Sequence, residues 1–258
     1  HHHSGCRTQG SPLSNTAITD RTLLAPPLLI LRDIHLTFGG TPLLEGAELS
    51  VSEGERLCLI GRNGSGKSTL LEAIAALCDF PVGGGSQDHQ RAADEPESRL
   101  AGALRPQWLP RVRTGFYLRA ESFFNMAGYL DAEGAVERSG GQRLHGQSHG
   151  ESVMALLSNR IAEIGRGVIL MDEPEAALSP SRQLAFLALL HEWDLSKNIQ
   201  VIIATHAPII LSYPGATLYR FDDDEIVETA VGETEHFRVT KSFLSDPERY
   251  FRRIFRDD

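Results

Sequence analysis

The amino-acid sequence predicts an α/β fold in which helices flank a mostly parallel β-sheet. Short segments made entirely of apolar residues, such as 168–171 and 201–204, alternate with segments of helical periodicity. Parallel strands that are covered by helices on both faces require this pattern. A glycine-rich loop at 61–66 also joins a predicted strand to a predicted helix. The length of 258 residues is enough for one large domain with a sizeable core.

Each predicted element follows from a local pattern. Apolar residues recur with strand periodicity at 28–38 and 47–51, with turn residues Gly39 and Gly40 between them, and predict a small N-terminal antiparallel β portion. A buried strand at 56–60 precedes the glycine-rich loop, and a helix with an apolar stripe follows it at 66–77. The remaining predicted elements are strands at 114–119, 168–171 and 201–204, helices at 151–164, 182–193 and 247–256, and a strand hairpin at 217–229.

Composition and charge exclude several classes of protein. The 25 basic and 34 acidic side chains give a net charge of −9, which argues against attraction of the whole molecule to nucleic acid or anionic lipid. No segment approaches the roughly 20 consecutive apolar residues of a membrane span, so we expect a soluble protein. Three cysteines without metal-ligand spacing predict reduced thiols and a cytoplasmic location. Residues 1–26 open with three histidines and are expected to form a disordered tail before one domain at 27–258.

Residues 61–69 fit the pattern of a phosphate-binding loop. Its glycines let successive backbone N–H groups point at phosphate oxygens, and the helix that follows presents its positive N-terminus. In this pattern Lys67 reaches the β- and γ-phosphates of ATP, and the Ser68 hydroxyl binds Mg²⁺. An incidental glycine-rich turn is the alternative, and the flanking strand and helix disfavour it. The candidate nucleotide-binding residues are Gly61, Asn63, Gly64, Ser65, Gly66, Lys67, Ser68 and Thr69.

Two carboxylates, Asp172 and Glu173, follow the apolar segment 168–171 directly. Ligands of open α/β sheets bind at the carboxyl ends of the strands. We expect Asp172 to hold Mg²⁺ and Glu173 to polarise the attacking water. A solvated strand end before a turn would use similar residues. The phosphate loop favours the metal site, because Mg²⁺ would otherwise lack a second protein ligand beside Ser68.

Residues 147–151, with the sequence Gln-Ser-His-Gly-Glu, resemble the signature loop of ABC-type ATPases, a Ser-x-Gly-Gln/Glu segment that opens a helix. This resemblance implies that Ser148 and Gly150 contact the γ-phosphate of a nucleotide held by another subunit. Residues 139–142, Ser-Gly-Gly-Gln, match the commoner form of the loop better. Only 147–151 is followed directly by a helical pattern and lies about one helix and one strand before Asp172. We therefore assign the role to Ser148 and Gly150.

Further residues match features of the ABC-type family. His206 ends a predicted strand and resembles the switch histidine that contacts the γ-phosphate, which would make it catalytic together with Glu173 and Lys67. Phe38 matches the aromatic residue that stacks on adenine, although a core position suits it nearly as well. Glu121 stands where relatives place a glutamine beside magnesium and water, and its role there is an open alternative.

The resemblance has two parts. Residues 27–71 resemble the opening of an ABC-F or transporter-type ATPase domain, whereas 72–255 resemble small stand-alone bacterial ATPases labelled AAA-family, which are ABC-like and related to SMC and repair ATPases. The second part rests on 115–124, 148–152 and 172–180. Together they imply an ABC-type nucleotide-binding domain of the P-loop NTPase fold, which binds ATP and Mg²⁺ and hydrolyses ATP in a nucleotide-sandwiched homodimer.

The process that hydrolysis would drive is open at the level of sequence. One alternative is a nucleotide-gated binding module with little or no hydrolysis, and another is the ATPase subunit of a membrane transporter. An unidentified protein partner fits each of them. Arginines at 99–119 and 249–256 lie near aromatic residues, which is one pattern of nucleic-acid binding. The net charge favours ordinary solvated surfaces at both segments.

Overall fold

A computed structural model gives the architecture of the chain. The structure describes residues 29–38, 41–51, 55–86, 98, 100–101, 104, 114–121, 149–162, 164–222 and 225–255. The predicted N-terminal tail, Ser148 and the competing segment 139–142 lie outside these residues. The assignment of 27–258 to a single domain stays a prediction.

The predicted α/β fold is confirmed. A two-stranded antiparallel sheet comes first, formed by β1 (Leu29–Phe38) and β2 (Thr41–Val51). The main sheet contains β3 (Arg56–Gly61), β4 (Gly115–Arg119), β5 (Gly167–Asp172), β6 (Ile199–Ala204), β7 (Ala216–Asp222) and β8 (Glu225–Thr229). Its strand order is β4-β5-β6-β3-β7-β8, and every neighbouring pair is parallel except β7 and β8, which form the predicted hairpin.

The helices of the described residues connect these strands. They are α1 (Lys67–Leu77), α2 (His149–Ala162), α3 (Pro180–Ser196), α4 (Pro208–Leu211), α5 (Glu235–Ser245) and α6 (Pro247–Ile254), with 3₁₀ turns at Pro174–Ala177 and Val231–Glu233. Helix α5, none of whose residues is buried, was not predicted from the sequence. Strand β2 begins at Thr41 and not at 47, since pairing with β1 continues across register shifts that interrupt the alternation.

Two apolar cores lie on opposite faces of the main sheet. On one face, α1 packs on β3, β5 and β6, and Leu44 and Leu49 of the small β1–β2 sheet are buried in the same cluster as Leu70 and Leu170. The other face is covered by α2, α3 and α4, with Phe186 at its centre. The first core joins residues on both sides of position 71, so the two segments that resemble different relatives share one packed interior.

The carboxyl ends of four adjacent parallel strands form one edge of the main sheet. Hydrogen bonds continue past the strand ends there: the backbone N–H of Glu173 donates to Ala204 O over 2.9 Å, and that of Thr205 donates to Leu59 O over 3.2 Å. The chain segments that follow β3, β4, β5 and β6 are thereby held side by side. All candidate site residues of the described chain except Phe38 and Gly150 lie at this edge.

Candidate active site

The loop between β3 and α1 has the shape that its glycines permit. Gly64 and Gly66 have φ angles of 81° and 93°, in the left-handed region that a residue with a Cβ rarely adopts. Asn63 and Gly64 are exposed at the tip, and Ser65, Gly66 and Thr69 are more enclosed. Helix α1 starts at Lys67, immediately after Gly66. The loop therefore delivers the N-terminus of a helix to the same edge of the sheet.

Lys67 is buried against this loop, with 5% of its surface exposed. Its Nζ donates to Gly61 O over 2.7 Å and to Arg62 O over 3.0 Å. Burial lowers the pKa of the Lys67 ammonium, and the carboxylates of Glu173, Asp172 and Glu175 act in the opposite direction. A desolvated cation held by loop carbonyls at a helix N-terminus is suited to an anion with several negative charges.

Ser68 and Asp172 meet as the sequence predicts. The Ser68 hydroxyl donates to Asp172 Oδ1 over 3.2 Å, and Asp172 is only 7% exposed at the end of β5. Burial raises the pKa of Asp172 to about 6, although the Ser68 hydrogen bond and the Arg119 guanidinium act to lower it. Ionising this buried carboxylate therefore costs free energy in the folded chain, and a bound cation would reduce that cost.

We expect Asp172→Asn to raise the free energy of unfolding in the absence of nucleotide and divalent cations. The unfolded chain ionises Asp172 near pH 4 and the folded chain near pH 6. As the pH rises through this window, the unfolded state loses its proton first and the stability of the folded state falls. The asparagine avoids this loss, so we expect a gain of about 2–3 kcal/mol at pH 8 and almost none at pH 4. Urea unfolding of the variant and of the unmodified chain at pH 4 and pH 8 measures this difference in the free energy of unfolding.

The matched control for this prediction is Glu192→Gln, on an exposed position of α3. Its stability should follow that of the unmodified chain at both pH values. A gain from Asp172→Asn that is equal at pH 4 and pH 8 would contradict the origin of the effect in the buried charge.

Glu173 has a strained backbone, with φ 50° and ψ 51°. A left-handed conformation at a residue with a side chain costs of order 1–3 kcal/mol and is characteristic of functional sites. It leaves the side chain of Glu173 44% exposed, with Oε1 3.6 Å from Nε2 of His206. Both predicted catalytic groups therefore face the same space in front of the loop.

Glu175 holds the backbone of His206 in place. The carboxylate oxygen Oε1 accepts a hydrogen bond of 2.6 Å from the backbone N–H of His206. Burial raises the pKa of Glu175, and this hydrogen bond opposes the rise. The sequence pattern did not predict this contact of Glu175. The Glu175 side chain connects the segment after β5 to the segment after β6.

Arg119 was not predicted as a site residue. It ends β4, donates from Nη1 to Glu72 Oε1 over 2.8 Å, and lies with Nε 4.0 Å from Asp172 Oδ2. For the described residues of this segment, neither a nucleic-acid patch nor a solvated surface fits the two aromatic side chains, because Phe116 is 2% exposed and Tyr117 is fully buried. Arg99, Arg105, Arg111 and Arg113 lie outside the described residues. Arg119 instead supplies positive charge behind the predicted metal ligand.

The remaining predicted site residues of the described chain are Glu121, Phe38 and Gly150. Glu121 is exposed, and its Oε2 lies 3.6 Å from Arg119 Nη2. Phe38 is the last residue of β1, where it pairs with Thr41. Gly150 lies in the first turn of α2, where a Cβ would approach Ala177 O to 2.8 Å. Helix α2 begins at His149, directly after the position predicted for the signature serine.

The fold and this edge of the sheet define a phosphate-loop ATPase. The sequence model of the ABC transporter family matches residues 44–176, slightly more than half of the chain. The chain belongs to this family, and like its ATP-binding proteins it binds ATP and is an ATPase.

Similar proteins agree with this assignment. A putative ABC transporter ATP-binding protein of Nitratidesulfovibrio vulgaris is 31% identical over 208 residues, which cover 69% of this chain and 74% of that protein. The aliphatic sulfonates import ATP-binding protein of Granulibacter bethesdensis is 32% identical over 186 residues, covering 70% and 74%. The structure of CbiO1 from Clostridium perfringens, part of an ABC transporter complex, matches with a TM-score of 0.54 at 18% identity and covers 87% of this chain and 98% of that one. That last likeness concerns the fold.

Within the part of the chain that the structure describes, no helix has both the length and the apolar character needed to cross a membrane.

Proposed function

We propose that the chain hydrolyses Mg-ATP in a homodimer in which each nucleotide lies between the phosphate loop of one subunit and the signature loop of the other. The main support for the hydrolytic site is the position of Glu173 and His206, whose side chains lie in front of the phosphate loop that holds Lys67. Their side chains approach each other to 3.6 Å, so one γ-phosphate and one water can contact both.

The residues present fit a magnesium ion that is shared with the nucleotide. Adjacent ligands of an octahedral Mg²⁺ stand about 3 Å apart, since each lies about 2.1 Å from the ion. The oxygens of Ser68 and Asp172 are 3.2 Å apart. Among the described residues, no group of three or more His, Cys, Asp or Glu side chains is placed to hold a metal ion. Two protein oxygens are typical of sites in which phosphate oxygens and waters complete the shell. Bound there, the ion would neutralise phosphate charge.

In the proposed reaction, the oxygen of a water attacks the γ-phosphorus and the bond to the β–γ bridging oxygen breaks, which releases ADP. Glu173 orients the water and accepts its proton. Lys67 binds the β- and γ-phosphates, and the Nε2 atom of His206 donates to a γ-phosphate oxygen as its charge changes. Among the described residues, Nε2 of His206 is a buried atom without a hydrogen-bond partner, which supports a ligand atom as its partner.

The dimer is supported by the distance between the two half-sites within one chain. The phosphate loop follows β3, whereas Gly150 packs on Ala177 in the turn that follows β5, two strands away. Strands are spaced by about 4.8 Å, so the two strand ends are roughly 10 Å apart before the outward displacement of α2 is added. A second copy in head-to-tail orientation brings the start of its α2 to the loop, and twofold symmetry repeats the contact.

The signature assignment is tested by two arginine substitutions. We expect Ser148→Arg to lower ATP turnover by at least about 100-fold, since it removes a phosphate contact and inserts a bulky side chain at the subunit interface. Nucleotide affinity of the isolated subunit should change little, because the phosphate loop of the same chain is untouched. Ser139→Arg is the matched control and should retain turnover. Phosphate release and nucleotide titration measure the two quantities, and the reverse pattern would assign the signature role to 139–142.

The names of two similar proteins favour a transport role, in which the proposed dimer would act with a partner protein. One is an aliphatic sulfonates import ATP-binding protein and another a zinc import ATP-binding protein. We therefore also propose that the chain is the ATP-binding subunit of a transport system. Detergent-solubilised membranes can be passed over the immobilised Glu173→Gln variant with Mg-ATP. Retention of integral membrane subunits by this variant, but not by Lys67→Ala, supports this role. If Glu173→Gln retains no integral membrane subunit, the role is contradicted.

A further inference from the structure

The ring of His206 contacts a second histidine from a distant part of the chain. Nδ1 of His206 lies 3.0 Å from Nε2 of His236, with ring centroids 4.6 Å apart. His236 is the second residue of α5, and His206 precedes the short helix α4. The opposite nitrogen of His206, Nε2, faces Glu173. One imidazole therefore links α5 to the space in front of the phosphate loop.

Hydrogen bonds of Thr234 fix the N-terminus of α5, the part of the helix that contains His236. Thr234 is buried and caps the helix, because its hydroxyl oxygen accepts a hydrogen bond from the backbone N–H of Phe237 over 3.4 Å. The same hydroxyl donates to Val231 O over 2.8 Å. His236 also lines a cleft of about 560 Å³ together with Gly61 and Arg62 of the phosphate loop. His236 is thus held by its own helix at the nucleotide edge of the sheet.

A hydrogen bond between two imidazoles needs one donor and one acceptor. Burial lowers the pKa of His206 to about 4, and the positive charge of Lys67 acts in the same direction, so His206 is neutral near pH 7 and carries one N–H. If that proton were on Nδ1, Nε2 would present a lone pair to the Glu173 carboxylate and could not donate to a phosphate oxygen. A proton on Nε2 removes both conflicts and leaves Nδ1 as the acceptor.

We propose that His236 is a positioning residue for ATP hydrolysis: its Nε2–H donates to Nδ1 of His206, keeps the His206 proton on Nε2 and aims that N–H at the γ-phosphate. The hydrogen bond made by one ring nitrogen sets which nitrogen of an imidazole carries the proton. This inference rests on the γ-phosphate contact of His206 proposed above. It adds that α5, through His236, controls whether that contact can form.

The protonation pattern is tested by NMR on the full chain labelled with ¹⁵N-histidine. Spectra of His206→Ala identify the His206 signals, which should show a protonated Nε2 and an unprotonated Nδ1 in the unmodified chain. His236→Ala should produce a mixture of the two tautomers. His236→Gln should restore the pattern, because the amide N–H of glutamine can replace the Nε2–H of histidine. A His206 proton on Nδ1 in the unmodified chain would overturn the inference.

Steady-state kinetics of ATP hydrolysis test whether His236 positions His206 for the reaction. We expect His236→Ala to lower kcat by about 10- to 100-fold, the loss that is typical when the hydrogen-bond partner of a metal-bound histidine is removed, with little change in KM for ATP. His236→Gln should recover most of kcat, and His191→Ala, an exposed position of α3, should not change it. If His206→Ala lowers kcat and His236→Ala does not, only the role of His236 fails. If His206→Ala keeps full activity, the proposed contact of His206 with the γ-phosphate fails first.

Discussion

The Lys67→Ala variant is expected to lose the stabilisation that Mg-ATP gives to the unmodified chain. A ligand at 100 times its Kd stabilises a protein by ~2.7 kcal/mol. For a domain of this size the gain corresponds to roughly 5–10 °C in Tm. Lys67 Nζ sits 2.7 Å from Gly61 O inside the loop, so it is the cation at the phosphate position. A thermal unfolding scan with and without Mg-ATP measures the shift.

The control for this prediction is Lys241→Ala. The Lys241 ammonium lies 5.6 Å from the centroid of the Phe237 ring on α5 and is not part of the phosphate loop. This variant should keep the full shift, and both variants should unfold normally without nucleotide. A Lys67→Ala variant that retains the Mg-ATP shift would show that the nucleotide is not bound through this loop.

Glu173→Gln is expected to lower kcat by about 10²- to 10⁴-fold while the affinity for Mg-ATP stays nearly unchanged. The amide preserves the size of the side chain and can still accept a hydrogen bond, but it cannot take the proton of the attacking water. The strained backbone at φ 50° is kept as well, so the folded site should be intact. Single-turnover phosphate release, measured beside nucleotide titration, separates the loss of chemistry from a loss of binding.

Glu192→Gln provides the matched control, because Glu192 is an exposed glutamate on α3. It should leave both kcat and affinity unchanged. If Glu173→Gln hydrolyses ATP at the rate of the unmodified chain, Glu173 is not the base. A rate that is negligible in both proteins would favour the nucleotide-gated binding module.

The elements that frame the site could be predicted from sequence because their signals are local. Strands β5 and β6 consist almost entirely of apolar residues, and each was predicted to within two residues at either end. The loop before α1 has glycines where the backbone is left-handed, so its pattern and its conformation coincide. Asp172 ends β5 and His206 lies two residues after the end of β6, which is why their meeting at one edge followed from the topology of a parallel sheet.

The contacts that orient these residues could not be predicted, since they join parts of the chain that share no local pattern. Arg119 was grouped with neighbouring arginines, yet it is Glu72 of α1 that binds it. His236 lies on α5, a helix that was not predicted and that has no buried residues. Glu175 contacts a backbone N–H, which leaves no trace in a side-chain pattern. Such contacts depend on how elements pack, which periodicity alone does not determine.

We propose that ATP closes two copies of this chain around shared nucleotides, and light scattering on the Glu173→Gln variant measures this dimer. We expect this variant to bind Mg-ATP without hydrolysing it, and therefore to be a monomer without nucleotide, a dimer at saturating Mg-ATP, and a monomer again when ADP replaces ATP. Adding Ser148→Arg to this variant should prevent the dimer. A Glu173→Gln variant that remains monomeric at saturating Mg-ATP would show that ATP does not close two copies of this chain into a dimer.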